Sequence, residues 1–103
     1  MKVVFSRQAR RELDVLFDDL LRHVTARTAL RLIDRIEARC ASLSQFPERG
    51  MAYSHPQLRH LRRLVEEPYV IVYEIDGITV RVSRILHGAR RIEATLLERD
   101  RED

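Results

Sequence analysis

The stretch Tyr69-Val70-Ile71-Val72-Tyr73-Glu74-Ile75-Asp76-Gly77-Ile78-Thr79-Val80-Arg81-Val82-Ser83-Arg84-Ile85-Leu86 decides how this chain folds. Two runs rich in β-branched and aromatic residues flank Asp76-Gly77, a strong hairpin signal because both central positions of a type I′ turn need positive φ. Such a turn predicts Ile75 opposite Ile78, Tyr73 opposite Val80, Ile71 opposite Val82 and Tyr69 opposite Arg84. All eight share one face, apolar until its far end. The other face carries Glu74 and Thr79, then Val72 and Arg81, then Val70 and Ser83, a mixed surface expected to meet solvent or a partner. Leu61 to Val65 supplies a preceding strand, interrupted at Pro68.

Upstream the period changes from two to three and four. Ala9, Leu13, Leu16, Phe17, Leu20, Leu21 and Val24 mark a one-faced helix over about 7–23, with Ser6 placed as its N-cap. Thr25 caps a second helix whose stripe is Ala29, Leu32, Ile33, Ile36, Cys40 and Leu43, and Pro47 and Gly50 stop it near Ser44. Their short link predicts an antiparallel helical hairpin. Lys2 to Phe5 reads as an edge strand, and Ile92 to Leu97 as one last short element. The order predicts an α+β fold, a helical hairpin packed on a small, mainly antiparallel β-sheet. Residues 1–98 form a single domain and 99–103 a short charged tail.

With 103 residues the chain has room for one modest core. Eighteen arginines and one lysine face sixteen acids, giving a formal charge of +3. The acidic tail partly hides a more basic body. Arginine dominance favours forked recognition of phosphate or carboxylate, although solvated helix-surface arginines read the same way. The single cysteine, Cys40, excludes an internal disulfide and any multi-cysteine metal site, and it lies on the buried stripe of the second helix. No apolar run approaches the length of a membrane span, and the first residues do not read as a signal peptide, so the expected location is the cytoplasm. No glycine-rich phosphate loop or metal-ligand spacing occurs, and no cofactor or metal is expected.

The polar exceptions gather late in the chain. Arg84 ends the apolar face, His87 and Arg90 follow, and Arg59, Arg62 and Arg63 precede the hairpin. With 61–65 beside 69–75, these groups are expected to converge at one end of the sheet. Three readings stand: Arg84 ties the tail to the sheet through carbonyls or Glu66 or Glu67; the cluster binds an anionic partner; or His87 transfers a proton while arginines stabilise a phosphoryl group. The candidate target-binding residues are therefore Arg59, Arg62, Arg84, His87 and Arg90, with no catalytic residue assigned. Tyr53 and His55, in the loop between the second helix and the strands, are expected at the solvent-exposed surface.

An ordered set of short pieces carries a family resemblance. They are Phe5-Ser6-Arg7-Gln8-Ala9, Glu12-Leu13, the helix Ala29 to Glu37, Leu43 to Gly50, Leu58-Arg59, Arg62-Arg63-Leu64, Tyr69 to Tyr73, and Arg84-Ile85-Leu86-His87-Gly88-Ala89-Arg90. The chain resembles the ParE-like toxins of the RelE/ParE superfamily, the toxin halves of type II toxin–antitoxin modules and plasmid-stabilisation systems. The resemblance implies the same α+β architecture and a cognate antitoxin, a short, partly disordered protein with an acidic toxin-binding segment. It implies DNA gyrase as the target of ParE-like members, DNA reached only through antitoxin or gyrase, and no membrane. RelE-like members instead cut messenger RNA on the ribosome. Arg90 matches the superfamily's late arginine and Arg59 or Arg62 an earlier one. No tyrosine follows Arg91, and the only lysine is Lys2, two departures from the nuclease pattern. The leading reading is a gyrase inhibitor acting by protein binding. A RelE-type endoribonuclease and an inactive toxin-like binding module are the alternatives.

Overall fold

A computed structural model describes residues 1–88 and 91–99, with Arg99 described in its backbone alone. The elements run β1 (Lys2–Phe5), α1 (Arg7–Leu20), α2 (Ala26–Ser42), β2 (Met51–Ala52), a 3₁₀ turn (Pro56–Leu58), β3 (Leu61–Glu66), β4 (Tyr69–Asp76), β5 (Thr79–His87) and α3 (Ile92–Arg99). The five strands form one sheet in the order β1-β5-β4-β3-β2, antiparallel except for the parallel β1–β5 pair. The expected α+β fold, a helical hairpin on a small and mainly antiparallel sheet, is the observed one.

Both helix starts follow from their caps. Ser6 Oγ accepts the Ala9 amide and Thr25 Oγ1 accepts the Thr28 amide, each satisfying a donor that the helix cannot. Ser6 also joins helix to sheet: its amide donates to Val82 O at 2.8 Å and its hydroxyl to Ser83 O at 2.8 Å. The main core lies between the hairpin and the sheet. Ala9, Leu13, Ile36, Cys40 and Leu43 from the helices meet Leu64, Ile71, Tyr73, Val80, Val82 and Ile85. Cys40 is buried there, as its place on the apolar stripe predicts.

The hairpin forms, but its register differs from the expectation. Asp76 pairs with Thr79, so the two loop residues are Gly77 and Ile78, and Gly77 alone has positive φ, at 63°. Glycine at the first central position is the type II′ pattern rather than type I′. That shift of two places Tyr73 opposite Val82 and leaves Ile78 83% exposed. A β-bulge between Val72 and Tyr73 adds one more residue on β5. Together they put His87, not Arg84, opposite Tyr69, and Arg84 opposite Val72.

The second sheet face also departs from the expected open surface. Val70 and Val72 are buried there with Tyr53, Leu58, Leu61 and Leu96, so α3 and the 3₁₀ turn cover it. Tyr53 is 4% exposed, which corrects its placement at the solvent surface. The run from Ile92 to Leu97, expected as one last short element, is α3, and this face is where its apolar area is buried. No helix among the described residues is long and apolar enough to cross a membrane.

Candidate functional site

The sheet edge beside α1 is where the late polar residues acquire partners. β1 pairs with β5 only as far as Val82; beyond it α1 takes over the edge. Arg84 is 5% exposed and donates from Nε and Nη2 to Glu12 Oε2, at 2.8 and 2.7 Å. The other oxygen of Glu12 accepts the Ile85 amide at 2.8 Å. One carboxylate thus neutralises a buried cation and satisfies a strand donor that β1 no longer reaches. Arg84 does tie the sheet to another element, through Glu12 and not through Glu66 or Glu67. The clue was available: Glu12 lies on the helical stripe of Ala9, Leu13 and Leu16, and an acid on a buried stripe needs a cationic partner.

Next to this pair, α1 and the end of β5 enclose an open groove of about 490 Å³. Val15, Leu16, Leu20, Ile85 and Leu86 give it apolar walls, and Tyr69 and His87 stand at its end. Their rings meet edge to face, with centroids 5.4 Å apart. Burial pushes the Tyr69 hydroxyl above the usual phenol range, and the charge of Asp19 adds to the shift. The tyrosine stays neutral and gives the groove an aromatic wall.

The remaining arginines lie elsewhere. Arg63, Val72 and Arg84 occupy one row across β3, β4 and β5, about 10 Å from end to end for two strand spacings. Arg63 lies over the Tyr53 ring on the second face, whereas Arg84 bonds to α1. Arg62 pairs with Tyr73 and donates to Glu48 O and Gly50 O in the link between α2 and β3. It stands four residues from Glu66, which shares a row with Tyr69 and His87, a separation of about 13 Å along the strand. Arg59 follows the 3₁₀ turn and is exposed. The expected gathering at one end of the sheet is therefore not formed: His87 lies at the Tyr69 end, Arg84 is mid-sheet and bound to Glu12, and Arg62 lies one row from Arg84 but two strands away, with Arg59 beyond the start of β3. Arg90 falls outside the described residues.

Arg35 and Arg39 of α2 have their own carboxylate, reaching Glu66 at 3.0 and 3.1 Å. Arg39 also donates to Val65 O, closing part of the β3 edge. Burial drives the Cys40 thiol up to about 12, with Glu37 contributing, so the group is not a nucleophile. No group of three or more histidine, cysteine or acidic side chains among the described residues is placed to hold a metal ion.

This geometry matches a known family. The family model described as the ParE toxin of the type II toxin–antitoxin system parDE matches residues 3–92. The chain belongs to the ParE toxin family. Toxin ParE3 of Caulobacter vibrioides is 31% identical over 96 residues, covering 92% of this chain and 94% of that protein. Among solved structures, the chromosomal ParDE system of P. aeruginosa superposes with a TM-score of 0.74 at 21% identity, over 84% of this chain and 95% of that one. The RelBE2 toxin–antitoxin complex of Mycobacterium tuberculosis gives 0.60 at 24% identity, over 86% of this chain and 92% of that one. The isolated E. coli RelE toxin gives 0.56 at 13% identity, over 95% of this chain and 96% of that one. In this ParE-family toxin the helical hairpin, the five-stranded sheet and the Glu12–Arg84 tie form one scaffold.

Proposed function

We propose that this toxin inhibits DNA gyrase by stoichiometric protein–protein binding, without chemistry of its own, and is neutralised in the cytoplasm by its cognate antitoxin. The observation that carries the reading is membership of the ParE family over residues 3–92, supported by 31% identity to a ParE toxin across nearly the whole chain. The arginine placement agrees with it. Phosphodiester cleavage calls for cations free to stabilise developing charge, yet Arg84 is committed to Glu12 and Arg62 to two backbone carbonyls.

Of the candidate basic residues, Arg59 and Arg90 are assigned to target contact; Arg62 is held on carbonyls of the link between α2 and β3, His87 lines the groove beside α1, and Arg84 is a positioning residue that holds β5 to α1. The antitoxin is assigned to the groove between α1 and β5. A segment that folds on binding gains from a long apolar trough, and Val15, 53% exposed, offers area to cover. The deciding experiment is supercoiling by purified gyrase with the toxin added alone and premixed with antitoxin. Loss of supercoiling that the antitoxin restores is the expected result. Unchanged supercoiling beside discrete messenger cleavage in a translating extract would reverse the reading.

A further inference from the structure

We propose that the link between α2 and β3, residues 46–51, is the surface by which this toxin grips its target, and that the target there is a folded protein with an apolar pocket rimmed by carboxylates. The inference rests on the reading of the chain as a protein-binding toxin and adds where the contact is made and with what chemistry. Phe46 is 60% exposed and Met51 64%, two large apolar side chains within six residues, against the trend for such groups to be buried.

The backbone that carries them is held from below. Tyr73, fully buried, donates its hydroxyl to Pro47 O at 2.7 Å and accepts the Gly50 amide at 2.9 Å. Arg62 donates to Glu48 O and Gly50 O, and the Arg49 amide closes a turn onto Phe46 O. Gly50 is packed so closely that a Cβ there would lie 2.6 Å from the Tyr73 hydroxyl and 2.8 Å from Arg63 O. Anchors on a fixed base lose little freedom on docking, and aromatic, methionine and arginine side chains are those enriched at interface centres.

Charge selects the partner. Arg35 and Arg39 face Glu66, and Arg84 faces Glu12, but no carboxylate among the described residues lies within ion-pair distance of Arg49, Arg62 or Arg63. Arg49 bonds to the Ser42 hydroxyl, and Arg63 to the Met51 sulfur at 3.3 Å. Glu48 is the one acid in the link. Arg62 is spent on the carbonyls of the link, which leaves Arg49 and Arg63 as two cations beside two apolar anchors, a set that complements acidic groups around an apolar recess. Projecting anchors need a recess that already exists, which a folded partner has. A segment that folds on binding is better served by the trough beside α1, so target and antitoxin occupy different surfaces.

The test compares the wild-type toxin with F46A/M51A and R49E/R63E, each checked by thermal melting. Three readouts are growth arrest on expression, inhibition of purified gyrase, and affinity for the antitoxin. Both variants are expected to need roughly tenfold or more toxin for half-maximal gyrase inhibition and to lose growth arrest, while antitoxin affinity stays within about twofold. R49E/R63E should also flatten the salt dependence of gyrase binding. Wild-type growth arrest in both variants overturns the proposal, as does a loss of antitoxin affinity with toxicity intact. A wild-type toxin that arrests growth without inhibiting gyrase refutes the gyrase reading instead. Loss of arrest in the variants would still place the target contact at this link.

Discussion

Glu12 and Arg84, seventy-two residues apart in sequence, form a two-bond ion pair at 2.7 and 2.8 Å where α1 replaces β1 as the neighbour of β5. Neither partner is dispensable alone. Glu12→Gln keeps the side-chain shape but leaves a buried guanidinium without its counter-charge, and Arg84→Met leaves the carboxylate without its cation. Each is expected to cost about 3 kcal/mol in urea unfolding, in line with breaking a buried pair from one side. The double variant E12L/R84M should be less destabilised than the sum of its parts, because no charge is stranded. Strict additivity would show that the two side chains do not act as a pair.

The Tyr73 hydroxyl organises the link at residues 46–51 through one bond given and one received. Removing it in Tyr73→Phe leaves Pro47 O and the Gly50 amide short of a partner, an expected loss of about 1–3 kcal/mol. Gly50→Ala should be worse. Its Cβ meets the tyrosine ring at 2.7 Å as well as the hydroxyl, and the Arg63 carbonyl cannot swing away as a side-chain tip can. Tyr73→Phe therefore should not rescue Gly50→Ala; rescue in a denaturation series would mean that the hydroxyl was the sole obstacle.

Burial sets the chemistry of Cys40. Its pKa, lifted from about 9 to about 12, means that folding favours the neutral thiol. The sign follows: a group whose folded pKa is raised contributes stability that is fully present below its unfolded pKa and is lost as pH climbs toward the folded one. Unfolding free energy should therefore decline between about pH 9 and pH 12, and Cys40→Ala should remove part of that slope. At pH 8 a thiol reagent should label the native protein no faster than it opens. Rapid labelling of folded protein would contradict the burial.

The sequence patterns that survived folding were those enforced locally. Ser6 and Thr25 cap the helices because a hydroxyl at that position has one useful geometry, and the three-and-four stripes bury because an amphipathic helix has one face to hide. The hairpin register was less legible. Asp76-Gly77 announces a turn but not which residue occupies its first central position, and the bulge at Val72/Tyr73 has no residue signature in the strand. Three residues of accumulated offset were enough to exchange Arg84 for His87 opposite Tyr69. The basic cluster failed to gather for a related reason. Spacing along strands locates side chains on faces, whereas partner choice among arginines depends on where carboxylates such as Glu12 and Glu66 arrive from distant helices and loops.

The second face of the sheet offers the final test, because its two most informative residues should respond in opposite directions. Leu96 is 4% exposed and packs with Tyr53, Leu58, Val70 and Val72, fastening α3 to the sheet. Truncation in Leu96→Ala removes that fastening and is expected to cost about 2–4 kcal/mol. Tyr53 contributes its ring to the same cluster, yet its buried hydroxyl has no hydrogen-bond partner among the described residues. Burial raises its pKa, Glu93 reinforces the rise, and Arg63 above the ring opposes it, so the group remains a neutral, desolvated O–H. Deleting that oxygen in Tyr53→Phe keeps the packing and removes an uncompensated polar atom, so stability should rise by about 1 kcal/mol. A fall of similar size in the melting series would show that the hydroxyl is hydrogen-bonded in solution.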